Sequence, residues 1–518
     1  MQTIENGGRF AVIIGGGLGG LTAGAKLARE GKKVLLIERN PTIGGCARVV
    51  PGRQFSYELS LHELFGMENG SLLRDIYDEF GLFETVELLR LPNFYRAMLA
   101  GADVTVPFGP DEAAGVLRHA FPREERGIGR FFKLLAAINR EGNQWVRRGC
   151  NSKMLLPLYP LLYPSSTRYS NENLGKYLDA TFSGDQIKYV LAALLPWYHD
   201  DPYETSLLAF ATGHSSCFLG GGHYPRGGSQ RLSDELGKII TDRGGAILTS
   251  HSVQEIIISG GRACGVVYHP NGEGTGGART VHADVVIANA SLPHVANDLL
   301  PVPANQKLLA RIGRRIPAIS LLSVALKFRR PLSELGNRAY STVIGHSRHT
   351  RFSQFVEATR TNDYTMKGFA ITDYSLIDNG VAGGGQHLGV ITLPDSPSQW
   401  EGLSADACEA KKQMVATTLI QRVDELLPGA RQNVEAYEVV TPRTYFEQTN
   451  NPGGTPYGFA MTPRQWSTRM MSYDSPIRGL YFASAWVRPG AGFEGTMYAG
   501  YNCARKALKG RGEPNKQH

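Results

Sequence analysis

The sequence predicts an α/β fold: a Rossmann-type dinucleotide-binding domain interleaved with a discontinuous α+β domain. Three observations carry the prediction. An apolar strand runs into a glycine-rich loop at the start of the chain, and a second strand–glycine loop–helix pattern stands near its end. The chain has 518 residues, too many for one small core, which implies two domains sharing the segments between those ends.

Phe10-Ala11-Val12-Ile13-Ile14 is an apolar run of strand length. It enters Gly15-Gly16-Gly17-Leu18-Gly19-Gly20, and Leu21, Ala25, Leu27 and Ala28 then follow in a helical pattern. Val34-Leu35-Leu36-Ile37 is a second apolar strand, ending on Glu38. A strand–GxGxxG–helix–strand–acid unit binds a dinucleotide. Gly15 makes the tight turn, Gly17 lets the backbone approach the pyrophosphate, and Gly20 lets helix and strand pack. The first-turn amides and the positive dipole end of the helix face the phosphates. Glu38 is placed to accept hydrogen bonds from ribose hydroxyls.

The middle of the chain reads Gly220-Gly221-Gly222-His223-Tyr224-Pro225-Arg226-Gly227-Gly228-Ser229 before a helix, then Gly244-Gly245-Ala246-Ile247-Leu248. Strands at Val253 to Ile258 and Ala263 to Tyr268 are joined by Ser259-Gly260-Gly261-Arg262, a hairpin signal. Asp284 to Ala290 is one more buried strand. Near the end, Leu480 to Ala483 is a strand, followed by a glycine-rich loop and a helix starting near Gly495. Gly383-Gly384-Gly385 lacks an entering strand, so no separate NAD(P) domain is expected.

The stretch Glu38-Arg39-Asn40-Pro41-Thr42-Ile43-Gly44-Gly45-Cys46-Ala47-Arg48 resembles the Glu-Arg…Gly-Gly stretch of flavoproteins of the amine oxidase and phytoene desaturase type. Gly479 to Gly500, through Ala485-Trp486-Val487-Arg488-Pro489-Gly490 and Gly495-Thr496-Met497, resembles the closing flavin motif of the phytoene desaturase superfamily, which includes carotenoid isomerases and retinol saturases. The resemblance is strongest at residues 10–48, 220–290 and 479–503. It implies FAD as the cofactor, held by Gly15, Gly17, Leu18, Gly19, Gly20, Glu38, Arg39, Gly44, Gly45, Cys46, Ala47 and Arg48 at one end. Val253 on the adenine side and Ala485, Gly495, Thr496 and Met497 at the closing motif complete the set, with the last helix facing the flavin N1–O2 edge. It also implies FAD-binding segments at 1–67, 220–299 and 441–510. Substrate-domain segments are implied at 68–219 and 300–440, with 511–518 as a disordered tail and fraying expected from Lys506 onward.

A net charge of +8 without a basic run or an aromatic–basic module argues against nucleic acid. Basic, aromatic and aliphatic residues mix in Phe131-Phe132-Lys133-Leu134-Leu135, Trp145-Val146-Arg147-Arg148 and Met154 to Pro164, a composition suited to an anionic membrane surface or to a buried helix and its connection. Six cysteines without CxxC spacing indicate neither a zinc site nor a redox disulfide, and no metal is expected. No signal peptide or membrane span is read, so a cytoplasmic, peripherally membrane-associated protein is the expectation.

His62, in Ser60-Leu61-His62-Glu63-Leu64-Phe65-Gly66, sits where retinol saturases also carry a histidine; it either orients substrate or supplies a proton, or is a hydrogen-bonded hinge. Glu58 and Ser60 depart from the family pattern, which usually shows Asp and Gly. Tyr445 precedes the last cofactor segment and is expected to face the flavin. Trp197, Tyr198, His199, Phe210 and His214 either line an apolar tunnel or pack a core. Arg488 and Glu494 fall in the closing motif. Many flavin motifs and few acid–base clusters suit desaturation, saturation or isomerisation at carbon–carbon bonds of an apolar polyene or isoprenoid, with a quinone or O₂ as electron acceptor. Two alternatives stand beside this: oxidation of an amine or amino-acid-derived substrate, and non-catalytic binding of a prenylated partner.

Overall fold

The computed structural model describes residues 10–60, 62–148, 157–272, 277–381 and 385–509. The apolar runs form a five-stranded parallel sheet in the order Leu480–Phe482, Val285–Ala288, Phe10–Ile14, Lys33–Ile37, Ala246–Leu248. Phe10–Ile14 is paired on both sides, with Val12 opposite Val286 and Leu35. Val12, Val286 and Leu36 are fully buried, which is why these strands read as continuous apolar runs and not as alternating ones. Helix Leu18–Arg29 packs against helices Ser229–Asp242 and Gly492–Lys509. The last crossing is close: a Cβ on Gly500 would stand 2.2 Å from the Gly19 carbonyl oxygen, so only glycine permits it.

The hairpin of His251–Ser259 and Arg262–Pro270 turns through Gly260 and Gly261, both at positive φ (+55° and +70°), the backbone a two-residue I′ turn requires. Arg279–His282 completes this antiparallel sheet.

A seven-stranded sheet has the order Val434–Val440, Ser320–Phe328, His387–Asp395, Phe369–Asp373, Ser341–Ile344, Tyr95–Leu99, Ala102–Val106. All its pairs are antiparallel except Ser341–Ile344 with Tyr95–Leu99. Strands from before and after the 220–299 segment therefore lie in one sheet. Helices Glu125–Arg147 and Leu207–Gly220 pack together beside it.

One open pair of readings closes and two expectations change. Phe131, Phe132, Leu134 and Leu135 are buried, because Ile128, Phe131, Phe132, Leu135 and Ile138 fall on one stripe of helix Glu125–Arg147 and turn inward. Exposed apolar residues in that region are Leu158 and Leu161, while Met154, Leu155 and Leu156 lie outside the described residues. No helix among the described residues is long and apolar enough to cross a membrane. The closing helix starts at Gly492, not Gly495, and stays helical past Lys506 to Lys509; residues 510–518 lie outside the described residues.

Candidate active site

The carboxyl ends of the parallel strands meet the glycine loops at a cleft of about 310 Å³. Gly17 caps helix Leu18–Arg29 without a side chain, leaving first-turn amides for a ligand. The Gly44 amide donates to the Gly16 carbonyl at 2.7 Å, and a Cβ on Gly45 would stand 3.0 Å from the Gly17 Cα. The two glycine pairs thus lie against each other and leave room on their open side for an extended molecule. Glu38 accepts from the amides of Gly16 (2.6 Å) and Asn40 (2.7 Å), which fixes its carboxylate at the end of the second strand. The Ser484 hydroxyl lines the cleft, buried and without a partner, as a group awaiting a polar ligand would be. These features fit a dinucleotide whose pyrophosphate meets the first helix and whose ribose meets Glu38.

Of the cofactor residues read from sequence, Gly15, Gly17, Leu18, Glu38, Arg39, Gly44, Gly45, Cys46, Ala47, Val253, Ala485 and Thr496 line this cleft. Burial pushes the Cys46 thiol up to about 11, so it is an inert wall residue. Five others stand elsewhere. A Cβ on Gly19 would meet the Ala483 carbonyl oxygen at 1.9 Å, and one on Gly20 the Gly15 carbonyl oxygen at 2.3 Å: both serve packing. Arg48 is buried behind the cleft, bonded to the side chain of the lining residue Gln448. Met497 is fully buried, one helical position past Thr496, and Gly495 lines a neighbouring cavity. Sequence reading missed Asn289, whose side chain donates to the Gly15 carbonyl at 3.3 Å and lines the cleft.

That second cavity, of about 250 Å³, shares Ser60, Tyr457, Gly492 and Phe493 with the cleft. Its walls include Phe65, Phe94, Leu194, Trp197, Tyr198 and Trp466. A third space of about 40 Å³ adjoins it, with Trp197 and Thr392 common to both. His62 lines the second cavity. Its Nδ1 is 2.6 Å from the Tyr374 hydroxyl and its Nε2 3.2 Å from the Thr392 hydroxyl. Burial pushes the imidazole down to about 4, so it is neutral at physiological pH with both nitrogens engaged. His214 stacks on Phe210 with ring centroids 3.8 Å apart, and burial pushes it down to about 3.

Trp197, Tyr198 and His214 line the cavity; Phe210 and His199 do not. Phe210 is fully buried behind His214, and the His199 Nδ1 accepts from the amides of Asp200 and Asp201 in a local turn. Tyr445 faces neither space. Buried at 1% exposure, it donates to the Leu59 carbonyl at 2.9 Å and lies 3.3 Å from the Ser323 hydroxyl, tying the cofactor segment to the seven-stranded sheet. Glu58 is structural as well: it accepts from the Tyr224 hydroxyl and the Ser229 amide, each at 2.9 Å, at the start of helix Ser229–Asp242.

Three carboxyl groups in the cavity wall escaped the sequence reading as a set: Glu63, Glu68 and Glu494. No lysine or arginine among the described residues lines the cavity. Glu494 accepts from the Phe65 amide at 2.6 Å, yet burial pushes its carboxyl up to about 7. With the folded value above the unfolded one, the folded state binds the extra proton, so stability falls as pH rises from about 4.5 to 7. Glu494→Gln keeps an acceptor for Phe65 and is expected to flatten the loss of thermal stability between pH 5 and 8, an effect of about 3 kcal/mol. Melting curves of the cofactor-free protein across that range check it; an unchanged slope contradicts the assignment.

Comparison with known proteins fits this geometry. The family described as flavin containing amine oxidoreductase matches residues 18–508. All-trans-retinol 13,14-reductase of Rattus norvegicus is 29% identical over 346 residues, covering 63% of this chain and 54% of that protein, so the match spans about half the length of such relatives. Prolycopene isomerase 1 of an Oncidium hybrid cultivar is 24% identical over 511 residues, covering 96% of this chain and 83% of that one. Among solved structures, cyclohexylamine oxidase from Brevibacterium oxydans shares the fold at a TM-score of 0.62 with 16% identity, covering 97% of this chain and 98% of that one. FAD is thus the cofactor, with the strand–glycine loop–helix cleft closed by a second glycine motif as its candidate site, and the chain belongs to the flavin containing amine oxidoreductase family.

Proposed function

We propose that the protein is an FAD-dependent oxidoreductase acting on carbon–carbon bonds of an apolar polyene or isoprenoid chain. The observation that carries this reading is the aromatic and aliphatic cavity that meets the cofactor cleft along Ser60, Tyr457, Gly492 and Phe493. When bound, FAD exchanges a hydride with a carbon held over its N5. The cleft positions that cofactor, the cavity excludes water, and His62, held neutral between Tyr374 and Thr392, keeps the wall beside the substrate in one arrangement. Relatives named for retinol reduction and prolycopene isomerisation support the substrate class. The three glutamates favour a second reading, oxidation of an amine, since an ammonium would meet carboxyl groups and no competing cation.

Product analysis separates the two. The holoprotein is incubated anaerobically, once with oxidised and once with reduced flavin, with all-trans-retinol, prolycopene or a set of aliphatic amines. The proposal expects a polyene product changed by two hydrogens or by double-bond geometry, with the amines recovered unchanged. Conversion of amines alone contradicts it.

Trp197 divides the cavity from the space beyond, so it is expected to limit substrate length. Trp197→Ala should tighten binding of a long linear carotene by about tenfold, roughly 1.4 kcal/mol, with FAD content unchanged. Titration of the holoprotein with polyenes of graded length checks this; an unaltered length preference contradicts it.

A further inference from the structure

We infer that Glu63 is the proton donor of the cavity and that the protein works on its carbon–carbon bond in the reductive direction. The inference rests on the polyene reading above. Any addition of hydrogen across a double bond needs a proton as well as a hydride, and a dry cavity must supply it from a side chain.

The described lining offers few sources. His62 has both nitrogens engaged, and burial holds it and His214 neutral. Burial raises the hydroxyls of Tyr198, Tyr457 and Tyr498 beyond the range in which they release protons. The Cys217 thiol is likewise raised by burial. Lysine and arginine are absent from the lining, which leaves the three glutamates.

Glu63 stands out among them. It is 5% exposed, and neither carboxyl oxygen has a hydrogen-bond partner among the described residues. Around it, Tyr340, Tyr374 and Cys217 are neutral groups near enough to sense its charge, and no lysine or arginine among the described residues lines the cavity to balance it. An ionised carboxylate in that setting carries an uncompensated desolvation cost of several kcal/mol, and protonation removes it. A carboxyl resting as the acid can give a proton but cannot take one, and this sets the direction. Glu494 and Glu68 supply the route for its recovery. All three carboxyl groups line the same cavity, and Glu68 is the partly exposed member, bonded through Oε1 to Asn139.

One carbon of the double bond gains the proton from the Glu63 O–H, which breaks to leave the carboxylate. The other carbon gains a hydride with its electron pair from the reduced cofactor, which is oxidised. An external two-electron donor, of the dihydronicotinamide or quinol class in the cell and dithionite in the assay, restores the cofactor. One solvent proton then returns to Glu63, and with an electron-only donor such as dithionite a second solvent proton supplies the hydrogen of the reduced cofactor.

The test compares wild-type, Glu63→Gln and Glu63→Asp holoenzymes, with all-trans-retinol and a linear carotene as probes in ²H₂O. Expected are equal FAD content and equal reduction by dithionite in all three. Product formation should fall at least 100-fold in Glu63→Gln, with part of it restored in Glu63→Asp. Two solvent deuteriums should appear per product in the wild type, one from Glu63 and one from the dithionite-reduced cofactor, whose transferable hydrogen is itself drawn from solvent. The infrared carbonyl stretch of a protonated carboxyl, shifted by ²H₂O, should be present in the wild type and lost in Glu63→Gln. Activity within twofold of wild type in Glu63→Gln, or an infrared spectrum unchanged by that substitution, overturns the assignment while leaving the polyene reading intact. A wild type that leaves every polyene unchanged overturns the polyene reading, and the Glu63 assignment with it.

Discussion

Gly17→Val is expected to yield folded protein that has lost its flavin. Gly17 has an ordinary extended backbone (φ −73°, ψ 170°), so a side chain adds no backbone strain and its effect is spatial. An added Cβ would stand 2.7 Å from the Asn289 side-chain nitrogen, and Gly45 packs on the other side. Valine therefore pushes into the space where the pyrophosphate meets the first-turn amides of helix Leu18–Arg29. Overpacking costs about 1 to 3 kcal/mol of stability, which a chain of this size can absorb, while cofactor loading should fall at least tenfold. The ratio of flavin to protein absorbance after purification measures it. Gly115→Ala is the control: that helical glycine has no atom within 4 Å of an added Cβ, and loading should be unchanged. Wild-type flavin content in Gly17→Val contradicts the placement of the pyrophosphate.

Asp395→Ala has the largest expected effect on stability. The Asp395 side chain is fully buried and accepts from the Trp400 indole (2.7 Å), the Tyr364 hydroxyl (3.0 Å) and the Lys367 ammonium (3.3 Å). Lys367, itself 3% exposed in its side chain, would be left as a buried cation without its counter-charge, at a cost of about 3 to 5 kcal/mol. The consequence reaches the site, because strand His387–Asp395 also carries Thr392, a partner of His62 and part of the cavity wall. Denaturant unfolding should show the loss. A paired Lys367→Met/Asp395→Leu variant should recover much of it, since it leaves no unpaired charge. A loss below about 1 kcal/mol in Asp395→Ala contradicts the role given to the pair.

The cofactor side was legible because its signals are local. An apolar run, a glycine turn and a strand-ending acid each act within a few residues, and Phe10–Ile14, Lys33–Ile37 and the Gly260-Gly261 hairpin emerged as read. Gly495 misled as a helix start because a glycine can mark a boundary or a close contact. Here it is a contact: a Cβ would lie 2.3 Å from the Gly490 carbonyl oxygen. The composition of Phe131 to Leu135 suited either a lipid surface or a buried helix, and their helical spacing decides for burial. The cavity side was harder because its members come from distant parts of the chain. Tyr445 lies close in sequence to a cofactor segment but bonds 386 residues away, to Leu59. Glu63 reads as an ordinary surface charge unless its apolar neighbours Leu61, Leu64 and Phe65 are weighed, a sign that the charge is embedded.

An anaerobic absorption titration of the freshly purified holoprotein separates polyene chemistry from amine oxidation. Oxidised flavin is titrated with aliphatic amines, and flavin reduced with dithionite is titrated with all-trans-retinol and a linear carotene. Amines are expected to leave the oxidised bands in place, and a polyene is expected to return the reduced flavin to its oxidised spectrum. Bleaching of the oxidised flavin by an amine, with reduced flavin unmoved by any polyene, would contradict the polyene reading.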